Sequence, residues 1–180
     1  QSYIQHHNGK ANRIKVRFRK YIESELNYLE VKFKNNKSRT IKARTKTNDI
    51  ETELSDVSKQ FVNDNSYSFF DGQEIIPTLW NSFTRLTLVH KTANERLTID
   101  FNLGFKSFSD NREENIPHII IAEVKQEKAS SNSDFIKAIR KHHIRQSSMS
   151  KYCVGTALLN KNLKQNNFKE RILKINKIKQ

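Results

Sequence analysis

Length, charge and cysteine content limit the class of this protein. At 180 residues the chain has the size of one domain, because single cores reach about 100–200 residues before chains divide. Its formal charge of +14, from 33 Lys and Arg against 19 Asp and Glu, predicts a polyanionic partner. The single cysteine, Cys153, excludes an intramolecular disulfide, so we expect a reduced, cytoplasmic protein in which this thiol is buried. The longest aliphatic run, residues 119–122, is far below the roughly 20 apolar residues of a membrane span.

Three strands are predicted near the start of the chain, over residues 13–22, 28–34 and 39–47. In the first strand Ile14 and Val16 alternate with lysines and arginines, and the other two repeat this pattern. A period of two residues is typical of a half-buried strand. We therefore expect a ladder of cations along one face of three consecutive strands, with a turn after the second.

The rest of the chain is predicted to add helices and three more strands. The further strands are expected at residues 79–90, 95–103 and 117–127, with turns at 71–72 and 91–94. The helices are expected at residues 51–64, 132–144, 149–160 and 168–178. Six strands with flanking helices predict the α+β class.

The charged strand faces allow two interpretations. A single charged face is most simply the solvated side of an antiparallel sheet. Cations that lie opposite one another on several strands repel, however, so a repeated cationic face favours a bound anion. Glu30 and Glu123 each stand two residues before a lysine on the same face. If the sheet closes into a barrel, these faces form a polar interior in which cations bind phosphates and carboxylates hold Mg²⁺ or Mn²⁺.

Six segments, taken in order, resemble one known family. They are HHNGKANRIKVRFRKYIES, YLEVKFKNNKSRTIKAR, FTRLTLVHK, ERLTIDFNL, IIIAEVKQE and SKYCVGTALLN. Together they resemble the polyphosphate-polymerase domain of the vacuolar transporter chaperone family, a member of the triphosphate tunnel metalloenzymes (the CYTH-like superfamily). The resemblance extends from about residue 3 to residue 175.

The resemblance implies a fold and an activity. It implies one domain over residues 1–180, built as an antiparallel β-barrel or tunnel with flanking helices. It also implies a phosphotransferase that moves the terminal phosphate of ATP onto inorganic polyphosphate, with Mn²⁺ or Mg²⁺. The family has a further basic strand before its HHNG-like stretch, and we expect this chain to lack that strand and to be incomplete at its N-terminus.

The resemblance also assigns site residues. The phosphate-gripping residues of the reaction are expected to be Arg17, Arg19, Lys32, Lys42, Arg85 and Arg96. By the resemblance Lys151 is expected near the tunnel mouth. Arg44, on the same face as Lys42, and Lys125, two residues after Glu123, are expected to bind phosphate beside them. The expected metal ligands are Glu123 and Glu30.

Several alternatives stay open. The same lining would suit a triphosphate or polyphosphate hydrolase, and a polyanion-binding module without catalysis is a third reading. No nucleic-acid partner is expected, and no GxxxxGK[ST] or GxGxxG motif is present for a P-loop or Rossmann mechanism. Asp100 is expected to orient Arg96 or, as the alternative, to bind metal. The histidine pairs at residues 6–7 and 142–143 are interpreted as surface residues.

Overall fold

The computed structural model describes residues 2–10, 12–36, 39–67, 70, 74–127 and 133–178. The chain divides into two compact units, Gln1–Thr78 and Leu79–Gln180. Both contain antiparallel strands and helices, so the predicted α+β class is confirmed. The predicted turn at residues 71–72 lies outside the described residues, as do the end of the turn after the second strand and the start of the helix predicted at 132–144.

The sheet of the first unit has three antiparallel strands. Strands β1 (Arg13–Tyr21), β2 (Leu26–Lys34) and β3 (Thr40–Thr47) follow one another in the order β1-β2-β3. The three predicted strands are therefore confirmed. Their apolar face carries buried residues such as Leu29 and Val31, because the alternation places every second side chain on the same side.

A short helix before the sheet was not predicted. Helix α1 (Ser2–His7) buries Tyr3 and His7, which are four residues apart and therefore lie on one helix face. The interpretation of His7 as a surface residue is wrong for this reason. The segment has few apolar residues, so its sequence does not show a helical pattern.

The helix that covers the first sheet begins later than predicted. Helix α2 (Asp56–Ser66) is capped by Ser55, whose hydroxyl accepts a hydrogen bond from the backbone N–H of Ser58 at 3.3 Å. Glu51, predicted inside the helix, lies before the cap and accepts hydrogen bonds from Ser55 and Ser58. Val62 of this helix is fully buried in the core of the first unit.

The second unit contains a four-stranded antiparallel sheet. Strands β4 (Leu79–Val89), β5 (Glu95–Ser107) and β6 (Glu113–Ile116) are neighbours in that order, and β7 (Ile121–Gln126) pairs with the first half of β5. The predicted strands at 79–90 and 95–103 are confirmed, and β5 continues four residues further. The strand predicted at 117–127 begins four residues later, at Ile121, because residues 117–120 form a turn and an irregular stretch after β6. The described part of the chain therefore holds seven strands rather than the predicted six, because β6 is too short to show alternation.

A β-bulge changes the direction of the side chains along β5. Asn102 has a left-handed backbone with φ of 54°, opposite a register shift between Ser82 and Thr84 of β4. Before the bulge the even-numbered Asp100 is buried, whereas after it the odd-numbered Leu103 and other odd residues are buried. One strand thus contributes a charged site in its first half and a hydrophobic core in its second half.

Three helices follow the strands, as predicted. They are α3 (Asp134–Lys141), α4 (Lys151–Leu159) and α5 (Asn166–Ile178). Helix α4 packs closely on β5, since a Cβ added at Gly155 would lie 2.3 Å from the ring of Phe105. Cys153 is fully buried, which confirms the expectation for this thiol.

The closure of a barrel stays a prediction. Among the described strands, the pairings form one three-stranded and one four-stranded sheet, and no pairing joins them. In this part of the chain no helix combines the length and the apolar character needed to cross a membrane.

Candidate functional site

The polar face of the first sheet is ordered in rows across its strands. In an antiparallel ladder, directly paired residues point to the same side. The three rows are Lys15–Lys32–Lys42, Arg17–Glu30–Arg44 and Arg19–Tyr28–Lys46. Every basic residue predicted for the site on these strands therefore lies on one face, around a single carboxylate.

Glu30 is the centre of this face. It is only 8% exposed, and Arg17 donates to its Oε2 from Nε at 2.7 Å and from Nη2 at 2.6 Å. Arg19 and Lys32 lie 3.9 and 4.0 Å from its oxygens. Burial alone would raise the pKa of the Glu30 carboxyl, but Arg17, Lys32 and Arg19 outweigh it and hold the pKa below its ordinary value. These contacts make Glu30 the counter-ion that orients Arg17.

Lys32 lies among several other cations of the first face. Burial and the positive charges of Arg17, Lys42 and Arg19 lower the pKa of its ammonium group to about 8, against the opposing effect of Glu30. The face therefore holds more positive charge than one carboxylate neutralises. A phosphate placed among these groups would relieve the repulsion, since opposite charges at about 4 Å attract by several kcal/mol in a partly buried setting.

Two arginines of this face are held by aromatic rings. The guanidinium carbon of Arg44 lies 5.1 Å from the ring centroid of Tyr28, and that of Arg19 lies 4.9 Å from the centroid of Tyr21. Stacking on a ring limits the rotation of a guanidinium while its edge continues to donate. The arrangement thus orders both arginines before any anion binds.

The second unit contains a matching cluster around Asp100. This residue is 2% exposed, and Arg85 donates to its two oxygens from Nε at 2.5 Å and Nη2 at 2.7 Å. The ammonium group of Lys151 donates to the Oδ2 of Asp100. Burial would raise the pKa of the Asp100 carboxyl, but its hydrogen bonds with Arg85 and Lys151 hold it below the ordinary value. Both cations also lie over the ring of Phe83, at 5.1 and 4.5 Å from its centroid.

The partner expected for Asp100 is therefore wrong. Arg85 is its direct cross-strand neighbour in the register, whereas Arg96 lies four residues along the same strand. A strand rises about 3.3 Å per residue, so these two side chains start roughly 13 Å apart. Sequence alternation predicts that Asp100 and Arg96 share a face, and the structure confirms this. The contact between Asp100 and Arg85 follows only from the register of β4 and β5.

The remaining predicted residues of the second unit lie further along the same face. Arg96 pairs in register with Lys125, and Thr98 pairs with Glu123. The Glu123 carboxylate lies 3.5 Å from the ammonium of Lys125, and both side chains are half exposed. Thr98 was not predicted, yet it is 5% exposed and its hydroxyl has no hydrogen-bond partner among the described residues. Its place on the polar face could be derived from alternation, but its burial could not.

The two predicted metal ligands differ in their availability. In the part of the chain that the structure describes, no group of three or more His, Cys, Asp or Glu side chains could hold a metal ion. Mg²⁺ and similar ions often use only one or two protein carboxylates together with substrate phosphates. The exposed Glu123 fits that role. Oε2 of Glu30 is engaged by Arg17, and Oε1 lies 3.9 Å from Arg19, so Glu30 fits a metal ligand less well.

The structure thus defines an α+β protein with a cationic sheet face in each unit, organised around one buried carboxylate. The family model described as the VTC domain matches residues 1–160. The chain therefore belongs to the VTC domain family, which relates it to polyphosphate. Comparison with curated proteins and with solved structures gives no significant match.

Proposed function

We propose that this chain is a polyphosphate polymerase that transfers the terminal phosphate of ATP onto an inorganic polyphosphate chain. In this proposal the reaction takes place inside a basic β-tunnel and requires Mn²⁺ or Mg²⁺. Membership of the VTC domain family supports the link to polyphosphate. The observation that carries the proposal is the ordered arrangement of cations around Glu30 and Asp100.

This arrangement suits phosphoryl transfer because that reaction depends mainly on positioning and charge neutralisation. Arginine presents donors in a fixed fork that matches phosphate oxygens, and lysine adds a compact charge. The phosphate-contacting residues in the proposal are Arg17, Arg19, Lys32, Lys42, Arg44, Arg85, Arg96, Lys125 and Lys151. Glu30 orients Arg17, and Asp100 orients Arg85 and Lys151. The two carboxylates also reduce the repulsion among the cations beside them.

Glu123 is the proposed protein ligand of the divalent ion. When bound, such an ion neutralises phosphate charge and helps to orient the transferred group. The carboxylate of Glu123 is half exposed and lies on the same strand face as Arg96 and Lys125, where it can share the ion with substrate oxygens.

The test is chain growth from ATP by the 180-residue protein, read on a chain-length gel with and without Mn²⁺ or Mg²⁺. We expect metal-dependent polyphosphate, and we expect Glu123→Ala to reduce its formation by at least about 100-fold. The matched control is Glu113→Ala, because Glu113 is equally exposed and also pairs with a lysine, Lys106, at 2.9 Å. Equal loss in both variants, or synthesis unchanged in Glu123→Ala, contradicts the proposed role.

Product analysis separates the alternatives. Release of orthophosphate from tripolyphosphate without any chain growth would identify a hydrolase with the same lining. Metal-sensitive binding of tripolyphosphate with no turnover would identify a binding module. Either result replaces the polymerase proposal.

A further inference from the structure

A strongly cationic surface lies outside the two charged sheet faces, on helix α3 and the turn that follows it. Its exposed residues are Lys137, Arg140, Lys141, His142, His143 and Arg145. We call residues 137–145 the basic arch. Between residues 133 and 150 the one carboxylate is Asp134, which lies 3.7 Å from the ammonium of Lys137.

The turn of the basic arch has a defined backbone. His143 is left-handed with φ of 57°, and its N–H donates to the carbonyl of Arg140 at 2.9 Å. The N–H of Ile144 donates to the carbonyl of Ile139 at 3.1 Å. This pair of bonds is a Schellman motif, which satisfies the last carbonyls of a helix and fixes the chain that leaves it. The cations around the turn are therefore presented by an ordered scaffold.

Stabilisation of the helix dipole does not account for so many cations. The C-terminal end of a helix carries about half a negative charge, which one lysine or arginine in the last turn offsets. The basic arch has four full positive charges, and the one carboxylate in the segment from residue 133 to 150 lies beside Lys137. The excess positive charge at Arg140, Lys141 and Arg145 indicates an anionic ligand.

The segment that carries the basic arch begins at a contact with strand β5 and leads on to Lys151 of the proposed site. Ser133, the N-cap of α3, donates to Oε1 of Glu95 at 2.9 Å, and Glu95 is the strand neighbour of Arg96. At the other end, Arg145 stands six residues before Lys151, which contacts Asp100. Six residues of extended chain span at most about 20 Å. The segment is thus anchored to strand β5 at its start, and at its end Arg145 lies within about 20 Å of Lys151 along the chain.

We propose that the basic arch binds the part of a polyphosphate chain that extends beyond the phosphates held at the sheet faces. This inference rests on the proposed function, because it takes polyphosphate as the substrate. A polymer of phosphates alone suits the surface better than nucleic acid, since single-stranded nucleic acids are held largely by base stacking on aromatic rings. Apart from its histidines, the segment from residue 133 to 150 has one aromatic residue, Phe135, and it is half buried.

The experiment compares two probes, sodium tripolyphosphate and a long-chain inorganic polyphosphate. Their affinities are measured by titration calorimetry for the wild-type chain and for the triple variant Arg140→Gln, Lys141→Gln, Arg145→Gln. We expect the variant to bind the long chain at least about tenfold more weakly and tripolyphosphate with unchanged affinity. The slope of log affinity against log salt concentration for the long chain should fall in magnitude by about 2, because three phosphate contacts are lost.

The matched control removes the same charge elsewhere in the second unit. Lys161, Lys169 and Lys177 are exposed in and before helix α5, and their triple substitution by Gln should change long-chain affinity by less than about threefold. Equal weakening in both triple variants, or unchanged long-chain binding in the arch variant, overturns the inference and leaves the proposed function standing. Equal arch-dependent binding of single-stranded RNA identifies a nucleic-acid surface and also overturns it. If the wild type does not bind tripolyphosphate at any metal concentration tested, the proposed function fails, and the inference fails with it.

Discussion

Binding of an anion beside Lys32 should change the protonation of its side chain. Its pKa is lowered to about 8, so in weakly alkaline solution the side chain is partly neutral. A phosphate beside it stabilises the charged form and raises its pKa again. We therefore predict that tripolyphosphate binding near pH about 8.5 takes up a fraction of a proton at Lys32. Titration calorimetry in buffers of different ionisation enthalpy measures this uptake.

The control for this prediction is Lys32→Arg, which keeps the charge but does not titrate. The ionisation of tripolyphosphate is common to both proteins, so the difference in proton uptake belongs to Lys32. Equal uptake in wild type and Lys32→Arg would contradict the prediction.

The lowered pKa of Lys32 also affects stability. Because folding lowers this pKa from 10.5 to about 8, the contribution of Lys32 to the free energy of unfolding rises from about pH 8 to about pH 10.5.

Between elements, Asp100 is the connection that joins strand β5 to strand β4 and to helix α4. Its carboxylate binds Arg85 of β4 and Lys151 at the start of α4. Removing one partner of a buried ion pair leaves the other charges uncompensated. We predict that Asp100→Asn lowers the free energy of unfolding by about 2–4 kcal/mol, measured by urea denaturation.

Added tripolyphosphate should recover part of this loss, because its oxygens can replace the carboxylate beside Arg85 and Lys151. A variant that merely disturbed packing would gain no more from tripolyphosphate than the wild type does. The matched substitution Glu170→Gln breaks an exposed pair with Lys174 and should leave stability nearly unchanged. If Asp100→Asn is as stable as Glu170→Gln, the connection has no structural importance.

For the whole molecule, we expect tripolyphosphate to bind at the charged face of each unit. Hydrogen exchange measures this directly, since a bound ligand slows amide exchange in the elements that it stabilises. We predict that tripolyphosphate with Mn²⁺ slows exchange in β1–β3 and in β4–β7 over the same concentration range. Orthophosphate at equal concentration is the control, because it is too short to contact many cations.

A variant of the first unit makes this test specific. Arg17→Gln with Arg19→Gln removes two cations from the first face. Protection of β1–β3 by tripolyphosphate should fall in this variant. Protection of β1–β3 that stays at the wild-type level, or wild-type protection confined to one unit, contradicts binding at both faces.

Much of the fold was predictable because alternation is a local property. The period-two patterns of β1 to β5 and β7 are visible over five or more residues, and these strands were predicted. Helix α1 and strand β6 were missed because each is too short, or too polar, for a pattern to show. The late start of α2 was missed because acidic residues are favourable in the first turn of a helix. They can equally accept hydrogen bonds in the segment before the cap, and Glu51 does so from the backbone N–H of Ser55.

The site shows the same division between local and long-range information. The amino-acid sequence alone determined which side chains share a face with Arg17 or with Asp100, since side-chain direction within a strand follows from the chain itself. Only the tertiary structure decided which of them touch. The pairing of Asp100 with Arg85 depends on the register of β4 and β5, and its contact with Lys151 depends on how α4 packs on that sheet. Register and packing are set by contacts between residues far apart in the chain, which no local pattern contains.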